Sequence, residues 1–151
     1  MKKNDELESF VRAKAATAAE AEPGIDWEAR RDKWLDEIGK LYGLVRKWLE
    51  PLERDDTVRY STSPITIDED YIGSYQAERL ILLIAKQRVE LRPKGTLIVG
   101  AEGRVDVRGQ RAARSIILKG NQWFVLERVP ELKTVPFNKK AFKNILQEVM
   151  A

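Results

Sequence analysis

Two residue types are missing from this chain: it holds no cysteine and no histidine. Without cysteine there is no disulfide framework and no thiol nucleophile. Without histidine there is no His-ligated zinc site, no Ser-His-Asp triad and no imidazole acid–base group. The side chains left for chemistry are carboxylates, Lys, Arg, Tyr, Ser and Thr. Long apolar runs are lacking too. The longest, Leu80–Ala85, is far shorter than the roughly 20 residues a membrane helix needs. The basic start Met1-Lys2-Lys3 is followed by Asn4-Asp5-Glu6-Leu7-Glu8, where a secretory signal would place an apolar stretch. The expectation is a cytoplasmic protein that does not enter a membrane.

What is present is a chain of 151 residues, 43% apolar and 34% charged. That is the size of one ordinary domain with enough apolar material for one core. The net charge of +3 hides a sharp division. Residues 1–78 carry 12 basic and 18 acidic side chains, whereas residues 79–151 carry 15 basic and 6 acidic ones. Charge separation of this kind points to binding surfaces for partners of opposite sign.

The acidic part is helical in pattern. Residues 1–24 form an N-terminal helical segment, with Leu7, Phe10 and Val11 as a short apolar stripe and an Ala/Glu-rich stretch that buries little and is free to fray or project. Pro23-Gly24 separates it from one α+β unit over residues 25–151. A long helix starts at the N-cap Asp26 and ends near Leu52, where Pro51 and Glu53-Arg54-Asp55-Asp56 follow. Its apolar residues recur every seven positions. Trp27, Trp34, Leu41 and Trp48 make one row, Leu35, Tyr42 and Leu49 a second, and Ile38, Val45 and Leu52 a third. The charged residues, Glu37 among them, are assigned to the opposite side.

From Thr57 the texture is that of strands. Thr57–Ser61 and Ile65–Ile67 flank Ser63-Pro64 and predict two pieces or one bulged edge strand. Residues 68–74 have the composition of a loop, and Tyr75–Lys86 is expected as a strand although its apolar run also suits a buried helix. Arg88–Arg92, Thr96–Val99, Arg104–Arg108, Ala113–Lys119 and Gln122–Val129 follow as strands. The turns between them are Pro93-Lys94-Gly95, Gly100–Gly103, Gly109-Gln110 and the hairpin signal Gly120-Asn121. A linker containing Pro130 and Pro136 leads to a last helix with Asn138 as N-cap and Ala141, Phe142, Ile145, Leu146 and Val149 on one face. The predicted fold is α+β: two N-terminal helices, the second long, then an antiparallel meander of five to seven strands, then a C-terminal helix packed on one face of the sheet.

The candidate sites follow from this layout. Arg88, Arg92, Arg104 and Arg108 fall on one strand face, and Arg111 and Arg114 come shortly after. Such a face can hold an acidic protein or a phosphate backbone, or it can be a solvated face in which Glu90 and Asp106 pair with the arginines. Trp27, Trp34 and Trp48 suit packing on the sheet or a helix interface with a partner or a second copy. Gly39 and Gly43 are spaced for close helix approach. The carboxylates Asp68-Glu69-Asp70 do not have the spacing of a calcium loop. Gly95 and Gly100 are separated as in a phosphate loop, but Ala101 stands where that loop needs lysine.

No cofactor or metal motif is present, and none is expected. The reading is a non-enzymatic protein that holds a macromolecular partner, another protein or itself, through the basic sheet face or the Trp-rich helix. Nucleic-acid binding through the arginines is the alternative. A small-ligand or catalytic pocket between sheet and C-terminal helix is a further one.

Overall fold

The computed structural model describes residues 6–12, 26–96, 101–129 and 131–151. The elements are α1 (residues 6–12), α2 (Trp27–Arg54), β1 (Val58–Glu69), β2 (Gly73–Ile84), β3 (Gln87–Gly95), β4 (Gly103–Arg108), β5 (Ala113–Lys119), β6 (Gln122–Val129), β7 (Glu131–Pro136) and α3 (Lys139–Val149). The strands form one antiparallel meander in the order β1 to β7. Helices α2 and α3 lie against one face of it, and one apolar core joins both helices to the sheet. This is the α+β arrangement expected from the sequence. The expected helical stretch beyond residue 12 lies outside the described residues.

Helix α2 begins where Asp26 accepts a hydrogen bond from the Ala29 amide at 3.0 Å. At 28 residues it is about 42 Å long. It continues past Pro51 to Arg54, because a missing amide in the last turn removes only one bond of the ladder. Trp34, Ile38, Leu41, Tyr42, Val45 and Leu49 are buried along it. So is Glu37, which was assigned to the charged side; its carboxylate lies 3.4 Å from Lys40 Nζ.

Strand β1 is one unbroken strand of 12 residues in continuous register with β2. It is not the interrupted or bulged strand that Ser63-Pro64 suggests. An edge strand has no ladder on its outer side, so Pro64 is tolerated there. The burial phase does change, however. Val58 and Tyr60 face the core at the root of the hairpin, whereas Ile65 and Ile67 do so toward its tip. Strand β2 changes in step, from Leu80 and Leu82 to Tyr75 and Ala77. Two-stranded ribbons twist more strongly than wide sheets. The β2–β3 ladder covers only Leu80↔Leu91 to Ile84↔Gln87, so the outer half of the hairpin is such a ribbon, and its Ile67, Tyr75 and Ala77 join the core. There Trp27 stacks on Tyr71 at 5.3 Å.

The seven-residue loop expected at 68–74 is a three-residue turn. Asp68 and Glu69 close β1, and Gly73 opens β2 with a φ of 86°. Tyr75–Ile84 is strand, as expected. Pro93-Lys94-Gly95 continues β3 with a register shift against β4 instead of turning the chain. Of the expected strand Thr96–Val99, Thr96 is a buried bend residue, and the remainder lies outside the described residues. Gly120-Asn121 makes its two-residue hairpin with positive φ at both positions, the type I′ geometry. The segment between Pro130 and Pro136, expected as a linker, is the edge strand β7.

Helix α3 is capped by Asn138, which accepts from the Ala141 amide at 2.8 Å. Its other end is closed by the β4–β5 turn, where the Arg111 amide donates to the Val149 carbonyl at 2.8 Å. Gly109 lets that turn approach, since a β-carbon there would strike the same carbonyl. No helix among the described residues is long and apolar enough to cross a membrane.

Candidate functional site

Strand alternation divides the side chains of the sheet between a helix-covered face and an outer face. Val89, Leu91, Val105, Val107, Ile116 and Val125 go to the helices. Their neighbours Arg88, Glu90, Arg92, Lys94, Arg104, Asp106 and Arg108 go to the outer face. In register, Glu90 lies opposite Arg108 and Arg92 opposite Asp106. Two carboxylates thus sit at the centre of a field of cations.

The carboxylates are claimed unevenly. Asp106 receives two hydrogen bonds from Arg104, from Nε at 2.8 Å and from a terminal nitrogen at 2.9 Å, and a third from Ser115 at 2.8 Å. Burial pushes its carboxyl up, but the bonds from Arg104 and Ser115 and the charges of Arg104 and Lys94 outweigh it and hold the pKa below the usual range. The Arg104 guanidinium is raised in turn by Asp106. Glu90 is approached by Arg79 at 3.3 Å and Arg92 at 3.5 Å. Arg88 and Arg108 make no ion pair among the described residues, and both are exposed.

The outer face also carries apolar groups. Leu83, directly opposite Arg88, is 43% exposed, and Ile81 beside it is half-buried. On the other side, Ile117 is only 6% exposed although it points away from the helices. Its register partners on the two neighbouring strands are Arg104 and Phe124. The dense run Leu80–Ile84 is therefore two surfaces interleaved, one for the core and one for the outer face.

Of the six arginines singled out in the sequence, four share this face: Arg88, Arg92, Arg104 and Arg108. Arg111 lies in the β4–β5 turn beside the end of α3. Arg114 is in register with Val107, points to the helices, and pairs with Glu148 of α3. Missed in the sequence were Leu83 and Ile81, whose signal is the lack of any polar residue between Leu80 and Ile84.

The tryptophans are committed to packing. Trp34 is 2% exposed, against Trp123 with ring centres 6.0 Å apart. Trp48 touches Phe137 and Phe142, at 5.5 and 5.8 Å, and joins α2 to α3. Trp27 is half-buried on Tyr71. Gly39 and Gly43 face open space. The carboxylates of residues 68 and 69 have structural partners. Asp68 accepts from Ser74, and Glu69 accepts from the Thr96 amide at 2.6 Å, the Thr96 hydroxyl at 2.9 Å and the Tyr75 hydroxyl. Burial and this carboxylate raise the Tyr75 pKa. No group of three or more Asp and Glu residues is placed to hold a metal ion among the described residues.

A groove of about 530 Å³ lies between the C-terminal turns of α2 and helix α3, with Trp48, Leu52, Phe142, Leu146 and Met150 on its walls. It is formed by the two helices rather than by sheet and helix.

Compared with known protein families, curated proteins and solved structures, the chain gives no match to any of them.

Proposed function

We propose that the protein is a non-enzymatic binding module whose outer sheet face holds an acidic protein partner. The observation that carries this reading is that Arg88 and Arg108 are exposed and make no ion pair among the described residues, with the exposed Leu83 opposite Arg88. A partner segment that alternates acidic and apolar side chains satisfies both. Its carboxylates meet Arg88 and Arg108, and its apolar groups meet Leu83 and Ile81. Such electrostatic complementarity fixes orientation and speeds association.

A nucleic-acid backbone suits the face less well. Glu90 and Asp106 occupy its middle and would lie against phosphates, and Leu83 would find no partner there. Among the described residues of this face there is also no run of exposed aromatics on which single strands stack.

The test uses synthetic Glu/Leu peptides and duplex DNA as alternative probes, each at low and moderate salt. The parent and the double variant Arg88→Glu/Arg108→Glu are compared. The expected result is peptide binding that weakens with salt and is lost in the double variant, with DNA bound no more tightly. DNA binding tighter than peptide binding, with a steep salt slope, would replace this reading with the nucleic-acid one. Failure of both probes at low salt would overturn it.

A further inference from the structure

The groove between α2 and α3 combines apolar walls with charge of a single sign. Trp48 and Leu52 come from α2, and Phe142, Leu146 and Met150 from α3. The three on α3 are spaced i, i+4, i+8 and make one stripe along the helix. Arg111, Lys139 and Lys143 also line the groove, and no Asp or Glu side chain among the described residues does. All three cations are exposed and make no ion pair among the described residues. Glu148, the acidic residue of α3, is turned to Arg114. The backbone of Ala151 is held by Gln87 through bonds of 2.7 and 2.8 Å. Lys139 and Lys143 are one turn apart at the start of α3, whereas Arg111 lies at its other end. The groove is thus an apolar trough with a doubly cationic end.

We infer that this groove binds a fatty acid, with the carboxylate at Lys139 and Lys143 and the alkyl chain laid along the stripe toward Met150. Size favours a small ligand over a macromolecule. The volume of about 530 Å³ falls within the roughly 300–1,000 Å³ of small-molecule sites. Eleven of the described residues line it, whereas a stable protein interface engages about 20–30 on each side. Length agrees. Lys139 and Met150 are roughly 17 Å apart along the helix at its normal rise. An extended chain advances about 1.2 Å per single bond, so dodecanoate, about 13 Å long, lies within that span. Charge decides the head group. A cationic amphiphile would be repelled by three side chains, and a neutral one would gain nothing from them. Met150 suits a flexible alkyl chain, because the thioether side chain adapts to irregular apolar surfaces. A bilayer surface is flat, whereas this site is concave.

The test is titration calorimetry with dodecanoate below its micelle-forming concentration. The expected result is a single molecule bound per chain, with affinity falling roughly tenfold for each pair of methylenes removed, as in decanoate and octanoate. Dodecyltrimethylammonium, with the same chain and the opposite head, should bind at least tenfold more weakly. Lys139→Glu/Lys143→Glu should reverse that preference with an unchanged circular dichroism spectrum. Terminally brominated dodecanoate locates the ligand: it should quench the parent's tryptophan fluorescence, and most of that quenching should be absent in Trp48→Phe. No binding of dodecanoate at high micromolar concentration would overturn the inference. So would equal binding of the two amphiphiles, or quenching that Trp48→Phe leaves unchanged. Binding to phosphatidylglycerol vesicles without binding to dodecanoate would assign the cations to a membrane surface instead. A dimer of the unliganded protein that Lys139→Glu/Lys143→Glu dissolves would assign the groove to a second copy. Arg88→Glu/Arg108→Glu should bind dodecanoate as the parent does, so this inference and the outer-face reading fail separately.

Discussion

The ring of Trp34 lies on the α-carbon of Gly103, inside the space a β-carbon at residue 103 would occupy. Gly103 opens β4, and Trp34 is among the largest fully buried side chains of α2. The depth at which the long helix seats on the sheet is set at this contact. Neither residue can be enlarged or moved without shifting the other, and Trp123 holds the ring from the β6 side. Gly103→Ala is expected to destabilise the protein by about 1–3 kcal/mol, the usual range for overpacking a core. Gly103→Val should cost more. Urea unfolding midpoints measure both. A change near zero for the alanine variant would mean that α2 can retreat from β4 at little cost.

A second attachment of α2 is polar. The Tyr42 hydroxyl is 2.6 Å from the Glu78 carbonyl and 3.2 Å from the Leu91 carbonyl. This is the fork where β2 parts from β3, since Leu80↔Leu91 is the last pair of their ladder. Burial raises the phenol's pKa, which keeps it a donor across the accessible pH range. Tyr42→Phe leaves the ring packing intact but removes the hydroxyl from both carbonyls. The expected loss is roughly 1–2 kcal/mol, a net hydrogen bond plus part of the desolvation cost of the carbonyl it leaves. Hydrogen exchange should show the outer half of the β1–β2 hairpin opening more readily, while amides of β4 and β5 keep their protection.

These two contacts show what the sequence could and could not convey. The sevenfold rows of α2 predicted that Trp34 and Tyr42 face inward, because helical periodicity is a local property. That Trp34 meets Gly103 depends on where β4 passes, and that is a tertiary fact. On the outer face, period-two alternation placed Arg88, Arg92, Arg104 and Arg108 together, yet it could not tell which of them Glu90 and Asp106 would leave uncompensated. Arg114 went to the opposite face because the Gly109–Ala112 connection sets the phase in which β5 resumes. Strand β7 was illegible for a simpler reason. Pro130 before it and Pro136 at its end suggest a linker, but β7 is an edge strand, where the rule against proline is weakest. Glu37 was misplaced because its position on the helix borders the apolar stripe, and only the packed neighbours decide which side of that border is buried.

The acid side of the stability profile should carry the signature of Asp106. Its carboxyl is held below the usual range in the folded protein, whereas in the unfolded chain it returns to about 3.9. Between those two values the unfolded state binds more protons, so stability falls as pH is lowered through this window, and the contribution is fully present above the unfolded pKa. Asp106→Asn removes that term. The variant should be less stable than the parent at neutral pH, with the gap narrowing as pH falls below about 4. Asp55, held low chiefly by hydrogen bonds from Thr57, titrates in the same direction, so the variant's acid slope is reduced rather than abolished. Urea titrations at neutral and acid pH provide the comparison. Parallel curves for parent and variant would show that the Arg104–Asp106 pair contributes nothing to folding.

The β2–β3 turn offers the opposite case, a site where the natural residues oppose the backbone. Ala85 and Lys86 both have positive φ, 50° and 68°, in a two-residue connection between Ile84 and Gln87. The β5–β6 turn has the same shape but is built from Gly120 and Asn121, the residue types that reach this region at least cost. Each ordinary side chain held there costs on the order of 1 kcal/mol. Both residues of the turn are exposed, so the strain can be relieved without disturbing the core. Ala85→Asn/Lys86→Gly should raise stability by about 1 kcal/mol, read as a higher urea midpoint with an unchanged slope. The pairing it reinforces, Ile84↔Gln87 through Leu80↔Leu91, is also what sets Leu83 beside Arg88 on the outer face. A stabilised turn should therefore leave peptide binding there unaltered. A gain in stability accompanied by lost binding would mean that the strained turn itself contacts the partner.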